Sequence, residues 1–91
     1  MKVYLAGKIT GLENFKEIFG RYEQDLKNQG HKVMNPAILP KGFEQSEYLK
    51  ICSSMIDVCD MVCFIPNWID SKGAHYELGY ALGTDKIIEY L

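Results

Sequence analysis

The sequence predicts an α/β fold, a single three-layer domain over residues 1–91, built on a parallel sheet of about four to five strands. Short apolar runs alternate with amphipathic stretches along the whole chain, in the order β-α-β-α-β-α-β. That alternation is the mark of a parallel sheet with right-handed crossovers and helices on both faces. The run Met61-Val62-Cys63-Phe64-Ile65 is apolar without a break and is bounded by Asp60 and Pro66, as expected of a strand covered on both sides. At 91 residues the chain is long enough for one core and too short for two.

The elements follow in order. Val3-Tyr4-Leu5-Ala6 is a buried strand ended by Gly7, and Gly7-Lys8-Ile9-Thr10-Gly11 has the composition of a tight loop. Asn14 with Glu17 three residues on suggests a capping box. Phe15, Phe19, Tyr22 and Leu26 then recur at helical spacing until Gly30. His31–Met34 is a second strand, stopped by Asn35-Pro36, and residues 37–45 form a loop. A second helix is expected from Ser46 to Val58, with Tyr48, Ile51, Cys52, Met55 and Ile56 on its apolar side. After the third strand, Pro66 to Gly73 is a loop. A third helix covers Ala74 to Leu82, where Gly79 permits close approach to a neighbour, and Lys86–Leu91 closes the sheet.

Composition excludes several function classes. The chain is 47% apolar and 24% charged, with a net charge of −2 and interspersed signs, so no footprint for polymeric nucleic acid is present. No apolar stretch approaches the length of a membrane span, and the run after Met1 is too short for a secretion signal. Cys52, Cys59 and Cys63 read as reduced core thiols of a cytoplasmic protein. Their spacing fits no zinc pattern, and neither histidine completes one. No metal and no cofactor is expected.

In parallel sheets of this kind ligands bind beyond the carboxyl ends of the strands. Three segments therefore converge there: Gly7–Gly11, Asn35-Pro36 and Pro66–Gly73. Within that edge the stretch from Asp70 to Ala81 is the most informative. Ser71 and Gly73 sit at a helix start, where free N–H groups favour an anion. Glu77 lies about one turn further in, where the helix dipole biases a carboxylate towards the ionised form that a nucleophile needs.

Taken together, Val3-Tyr4-Leu5-Ala6-Gly7 with Ile9-Thr10-Gly11, Gly30-His31-Lys32-Val33 with Asn35-Pro36, Cys59-Asp60-Met61-Val62, and Ser71-x-Gly73-x-x-x-Glu77-Leu78-Gly79 resemble the nucleoside 2-deoxyribosyltransferase superfamily. Its nucleotide N-hydrolase relatives are included, and the likeness is closest to short phage and bacterial members. The resemblance implies a flavodoxin- or Rossmann-like sheet and cleavage of an N-glycosidic bond with retention. It implies Glu77 as the nucleophile at C1′ of the sugar and Tyr4 as the residue orienting it. Lys8, Ile9, Thr10 and Gly11, with Ser71 and Gly73, would line the sugar or 5′-phosphate side. It also implies sites built at subunit contacts of a homo-oligomer, and a nucleoside or nucleotide as partner.

Two departures stand out. The enzymes carry an aspartate that assists the leaving base eight residues before the position of Asp60, and here that residue is Cys52. Asp70, at the carboxyl end of the third strand, is the preferred substitute acid, whereas Asp57 and Asp60 belong elsewhere. The enzymes also continue past their last strand to a residue that enters the neighbouring subunit's site, and this sequence stops at Leu91.

Other side chains have more than one reading. Lys8 is either a loop lysine or a charge for a phosphate. Trp68 either stacks on a base or covers a subunit contact. His75 reads as a packing or surface residue ahead of a catalytic one, and Cys52 as an inert core thiol ahead of a reactive thiol near the helix start. The alternative to an enzyme is a catalytically weakened module that binds a nucleotide and sequesters it.

Overall fold

β1 (Lys2–Ala6) starts immediately after Met1 in the structure, a computed structural model that describes residues 1–91. Val3 and Leu5 point to one face of the sheet and Tyr4 and Ala6 to the other, all four fully buried, because a strand alternates its side chains and both faces are covered. α1 (Phe15–Asn28), β2 (Lys32–Met34), α2 (Gln45–Asp57), β3 (Met61–Phe64), α3 (Lys72–Gly83) and β4 (Ile87–Tyr90) follow. Short 3-10 segments at Pro36–Ile38 and Pro66–Asp70 interrupt the connections after β2 and β3.

The sheet is wholly parallel, in the order β2-β1-β3-β4, with Tyr4 opposite Val62 and Phe64 opposite Tyr90. α1 packs Phe19 and Leu26 on Val3, Leu5, Met61 and Cys63. α2 and α3 cover the other face through Cys52, Ile56 and Ala81, set against Tyr4, Ala6, Val62 and Phe64. Each large side chain removed from water in this way contributes about 1.5–3 kcal/mol. From β1 the chain crosses to β2 on one side and later to β3 on the other. This reversal of strand order opens a crevice beyond the carboxyl ends of β1 and β3, where such sheets bind ligands.

Several local expectations are corrected. Asn14 makes no side-chain cap to α1, since its backbone (φ −97°, ψ 22°) is not extended, and Glu17 pairs with Arg21 at 2.7 Å instead. The capping box belongs to α2, between Glu44 and Glu47, so that helix starts one residue before the expected Ser46. Ile51 is 38% exposed and stands off the buried stripe of α2. Gly79 is exposed and has no neighbour within 4 Å of the place a Cβ would occupy, so it serves no close approach within the chain. Gly30 does close α1: at φ +93° its N–H reaches Lys27 and that of His31 reaches Leu26, an arrangement that a glycine adopts without strain. The three thiols are free and buried. No helix is long and apolar enough to cross a membrane.

Candidate active site

The crevice holds a cavity of about 590 Å³, within the range of small-molecule sites. The loop after β1 forms one wall through Gly7, Lys8, Ile9 and Thr10, and the start of α3 forms another through Asp70, Ser71 and Gly73. α2 closes a third side with Tyr48, Leu49 and Cys52. Tyr4 and Glu77 line the same cavity, 0% and 7% exposed.

Their position follows from local rules. Ser71 caps α3, its Oγ accepting the N–H of Ala74 at 3.1 Å, as a serine at the N-cap does. Five residues into α3, Glu77 faces β1, and the Tyr4 hydroxyl donates to its Oε2 at 2.5 Å. On the facing wall the β1 loop is pinned by Asn67, whose Oδ1 accepts the Lys8 backbone N–H at 2.9 Å. Gly7 fits there because a Cβ would come to 3.0 Å from that same Oδ1, and to 3.1 Å from both Ile65 Cβ and Phe19 Cζ.

Burial pushes the Glu77 carboxyl up to about 7, although hydrogen bonds from Tyr4 and Cys52 draw it down. The ionised form expected from the helix dipole is therefore not the resting form in acid, because loss of hydration outweighs a partial charge one turn away. Burial likewise lifts the Tyr4 phenol well above its ordinary range, reinforced by the Glu77 charge. The Cys52 thiol goes up to about 11, chiefly through burial, and so stays protonated and unreactive at neutral pH.

Among the expected site residues, Tyr4, Gly7, Lys8, Ile9, Thr10, Asp70, Ser71, Gly73 and Glu77 come together, while Gly11, Asn35 and Trp68 stay off the cavity wall. Asn35 instead accepts the Ala37 N–H and donates to Glu23, tying the strand end to α1. Trp68 lies in an aromatic cluster, 5.4 Å from the Phe64 ring and 4.8 Å from that of His75, because the 3-10 segment turns its indole away from the crevice. His75 also meets the Ile69 carbonyl through Nε2 at 2.8 Å. Asp57 accepts from the Tyr80 hydroxyl, and Asp60 from the Lys2 N–H at the opposite edge of the sheet.

Sequence reasoning reached Cys52 on the α2 wall but missed Tyr48 and Leu49 beside it, and Asn67, Lys41 and Lys72. The 3-10 turn after β3, with Pro66 at its start, was the available sign for Asn67. No three of the His, Cys, Asp and Glu side chains are grouped to hold a metal.

With this geometry the chain has a nucleoside 2-deoxyribosyltransferase-like fold. It superposes with a TM-score of 0.77 on a 2-desoxiribosyltransferase from Leishmania mexicana, at 18% identity over 99% of this chain and 63% of that one. A 2-deoxyribosyltransferase from Bacillus psychrosaccharolyticus, described as a biocatalyst for nucleoside synthesis, gives the same TM-score, 26% identity, and coverage of 99% and 71%. The chain thus spans less than two thirds of the length of the Leishmania enzyme. More narrowly, it belongs to the family described as Domain of unknown function (DUF4406), whose profile matches residues 1–90. A comparison with curated proteins finds no match.

Proposed function

We propose that this chain cleaves or transfers the N-glycosidic bond of a nucleoside or nucleoside 5′-monophosphate, with Glu77 as retaining nucleophile. The observation that carries this reading is the buried Tyr4–Glu77 hydrogen bond inside a ligand-sized cavity at the strand-order reversal. The ionised Glu77 oxygen attacks C1′ of the sugar, and the C1′–N bond breaks with its electron pair passing to the base. The departing base nitrogen takes up a proton from solvent, and Asp70, at the cavity rim, is the carboxyl group we assign to relay it. Water or a second base then attacks C1′ of the glycosyl ester from the face the first base left; the C1′–O bond breaks with its electron pair returning to the Glu77 carboxylate, the attacking group gives up its proton to solvent, and configuration is retained. Tyr4 is a positioning residue: its hydroxyl fixes one carboxylate oxygen and leaves the other for attack. A homo-oligomer is the proposed assembly.

The test is incubation with a panel of nucleosides and deoxynucleotides, with free base followed chromatographically. Glu77→Ala is expected to lose base release. In the native protein kcat/KM should rise with pH through about 7, as Glu77 ionises. Tyr4→Phe removes a donor to the carboxylate, so that limb should move to higher pH. A pH-independent rate, or release that survives Glu77→Ala, overturns the proposal.

One observation favours a second reading. Cys52, with its thiol held near 11, is a poor acid for a leaving base, which suits a module that binds a nucleotide without turning it over. Tight binding with no base released at any pH would select that reading.

A further inference from the structure

The cavity is chemically uneven. One wall, made by the segment after β2 and by α2, presents Ala37, Leu39, Leu49 and the ring of Tyr48. The other two carry the hydroxyls of Thr10 and Ser71. A flat heteroaromatic base is best accommodated on the apolar, aromatic wall, and a hydroxylated sugar on the polar ones. With C1′ at Glu77, the base therefore lies on the α2 side.

That side holds no effective acid for it. The Tyr48 hydroxyl donates to the Pro40 carbonyl at 2.6 Å, and the Tyr4 hydroxyl donates to Glu77, so both protons are engaged. Gln45 also lines the cavity, but an amide does not ionise. Cys52 is buried, and burial pushes its thiol up to about 11, which makes it a weak proton donor at neutral pH. Of the two carboxyl groups on the cavity, Glu77 is the nucleophile, and Asp70 stands exposed on the rim just ahead of α3. What the α2 side does supply is positive charge. Lys41 lines it, and its ammonium has no partner in the chain, where the paired or bonded lysine heads are Lys27, on Glu23, and Lys86, on the Asp57 carbonyl.

We propose that the base departs from this wall as an anion, so that the chain favours N-glycosides of acidic, carbonyl-bearing bases over those of amino-bearing ones. The assignment rests on the reading of Glu77 given above and narrows its substrate class. As the Glu77 oxygen forms its bond to C1′, the C1′–N bond breaks and leaves its electron pair on the base nitrogen. Ring carbonyls spread that charge onto their oxygens. The Lys41 ammonium, a point charge on a flexible stem, meets them without a fixed angle. The proton arrives afterwards from solvent, through Asp70.

The experiment is single-turnover release of free base, followed chromatographically, from the 2′-deoxyribosides of fluorouracil, uracil, thymine and cytosine and of xanthine, hypoxanthine and adenine. Each is offered as the nucleoside and as its 5′-monophosphate. Within each ring size the rate should follow the N–H acidity of the free base, rising about three- to tenfold for each tenfold gain in acidity. Lys41→Ala, at an exposed position, should slow release of the carbonyl-bearing bases about three- to tenfold, and Lys41→Arg should restore it. Cys52→Asp, which puts a carboxyl group on the wall, should flatten the order by speeding adenine and cytosine most; the native series and the Lys41 variants stand without it. Rates independent of base acidity, or release from Lys41→Ala at the native rate, overturn the proposal. They leave Glu77 as nucleophile if Glu77→Ala is inactive. Release in the expected order that survives Glu77→Ala overturns the nucleophile and retains the anionic departure. No base released from any compound overturns both.

Discussion

A carboxyl group as deeply placed as that of Glu77 is subject to opposing influences. Loss of hydration favours its neutral form, while the Tyr4 hydroxyl and the Cys52 thiol favour its charge, and the first of these is the larger. The consequence is a pH dependence of stability. The unfolded chain releases this proton near 4.5 and the native chain near 7. Between those values the native state binds a proton that the unfolded state has lost, so stability falls as pH rises. The favourable contribution is complete below 4.5 and is gone once pH has passed about 7, a change of up to about 3 kcal/mol. Glu77→Gln keeps the shape and an acceptor for Tyr4 but does not ionise. Thermal unfolding of the two proteins at pH 5 and pH 8 checks this: the glutamine variant should gain on the native protein as pH rises. An unchanged difference would show that Glu77 is already ionised at pH 5.

Among the elements, the two inner strands and the loops that leave them do most to shape the site. The turn from β1 into the cavity depends on Gly7, with 3.0–3.1 Å to three would-be neighbours of a Cβ. Ile65 Cβ is fixed by the backbone, so Gly7→Ala has to displace the loop. It is expected to cost about 1–3 kcal/mol in urea denaturation and to lower ligand affinity. The strands and helices of this arrangement were readable because apolar runs and helical stripes alternate without interruption. Glu44 was not readable as the cap of α2, since glutamate is an uncommon cap and Ser46 close by is a common one. Gly7–Gly11 and Ser71–Gly73 were legible as segments at the strand-end edge because a loop after a parallel strand must reach it, although Gly11 falls off the cavity wall. Trp68, at the same edge, was not: only the 3-10 turn decides on which side its indole falls. The charge state of Glu77 was equally hidden, because burial depends on every element packed around it.

For the molecule as a whole, the sheet is covered by one helix on one face and two on the other, with a radius of gyration of 11.9 Å. A protein of 91 residues has a total stability of roughly 5–14 kcal/mol, so a single core defect takes a large share of it. Ile56 is fully buried between α2 and the sheet. Ile56→Ala is expected to cost about 2–5 kcal/mol, measured as a lower urea midpoint by circular dichroism with little change in slope. A loss below 1 kcal/mol would mean that this face is less tightly packed than the structure has it. Because α2 carries both Ile56 and the cavity wall at Cys52, the same substitution should weaken ligand binding.

The aromatic cluster has one more consequence. Trp68 is the only tryptophan of the chain, and it belongs to the five-residue 3-10 segment whose far end, Asp70, forms part of the cavity rim. Its indole packs edge-on against Phe64 and tilted against His75 and Tyr90, and it forms no part of the cavity wall. The protein thereby carries an intrinsic fluorophore that no ligand in the cavity touches directly. A change in its emission on ligand addition would report movement of the segment itself, and the native chain could be followed without a dye.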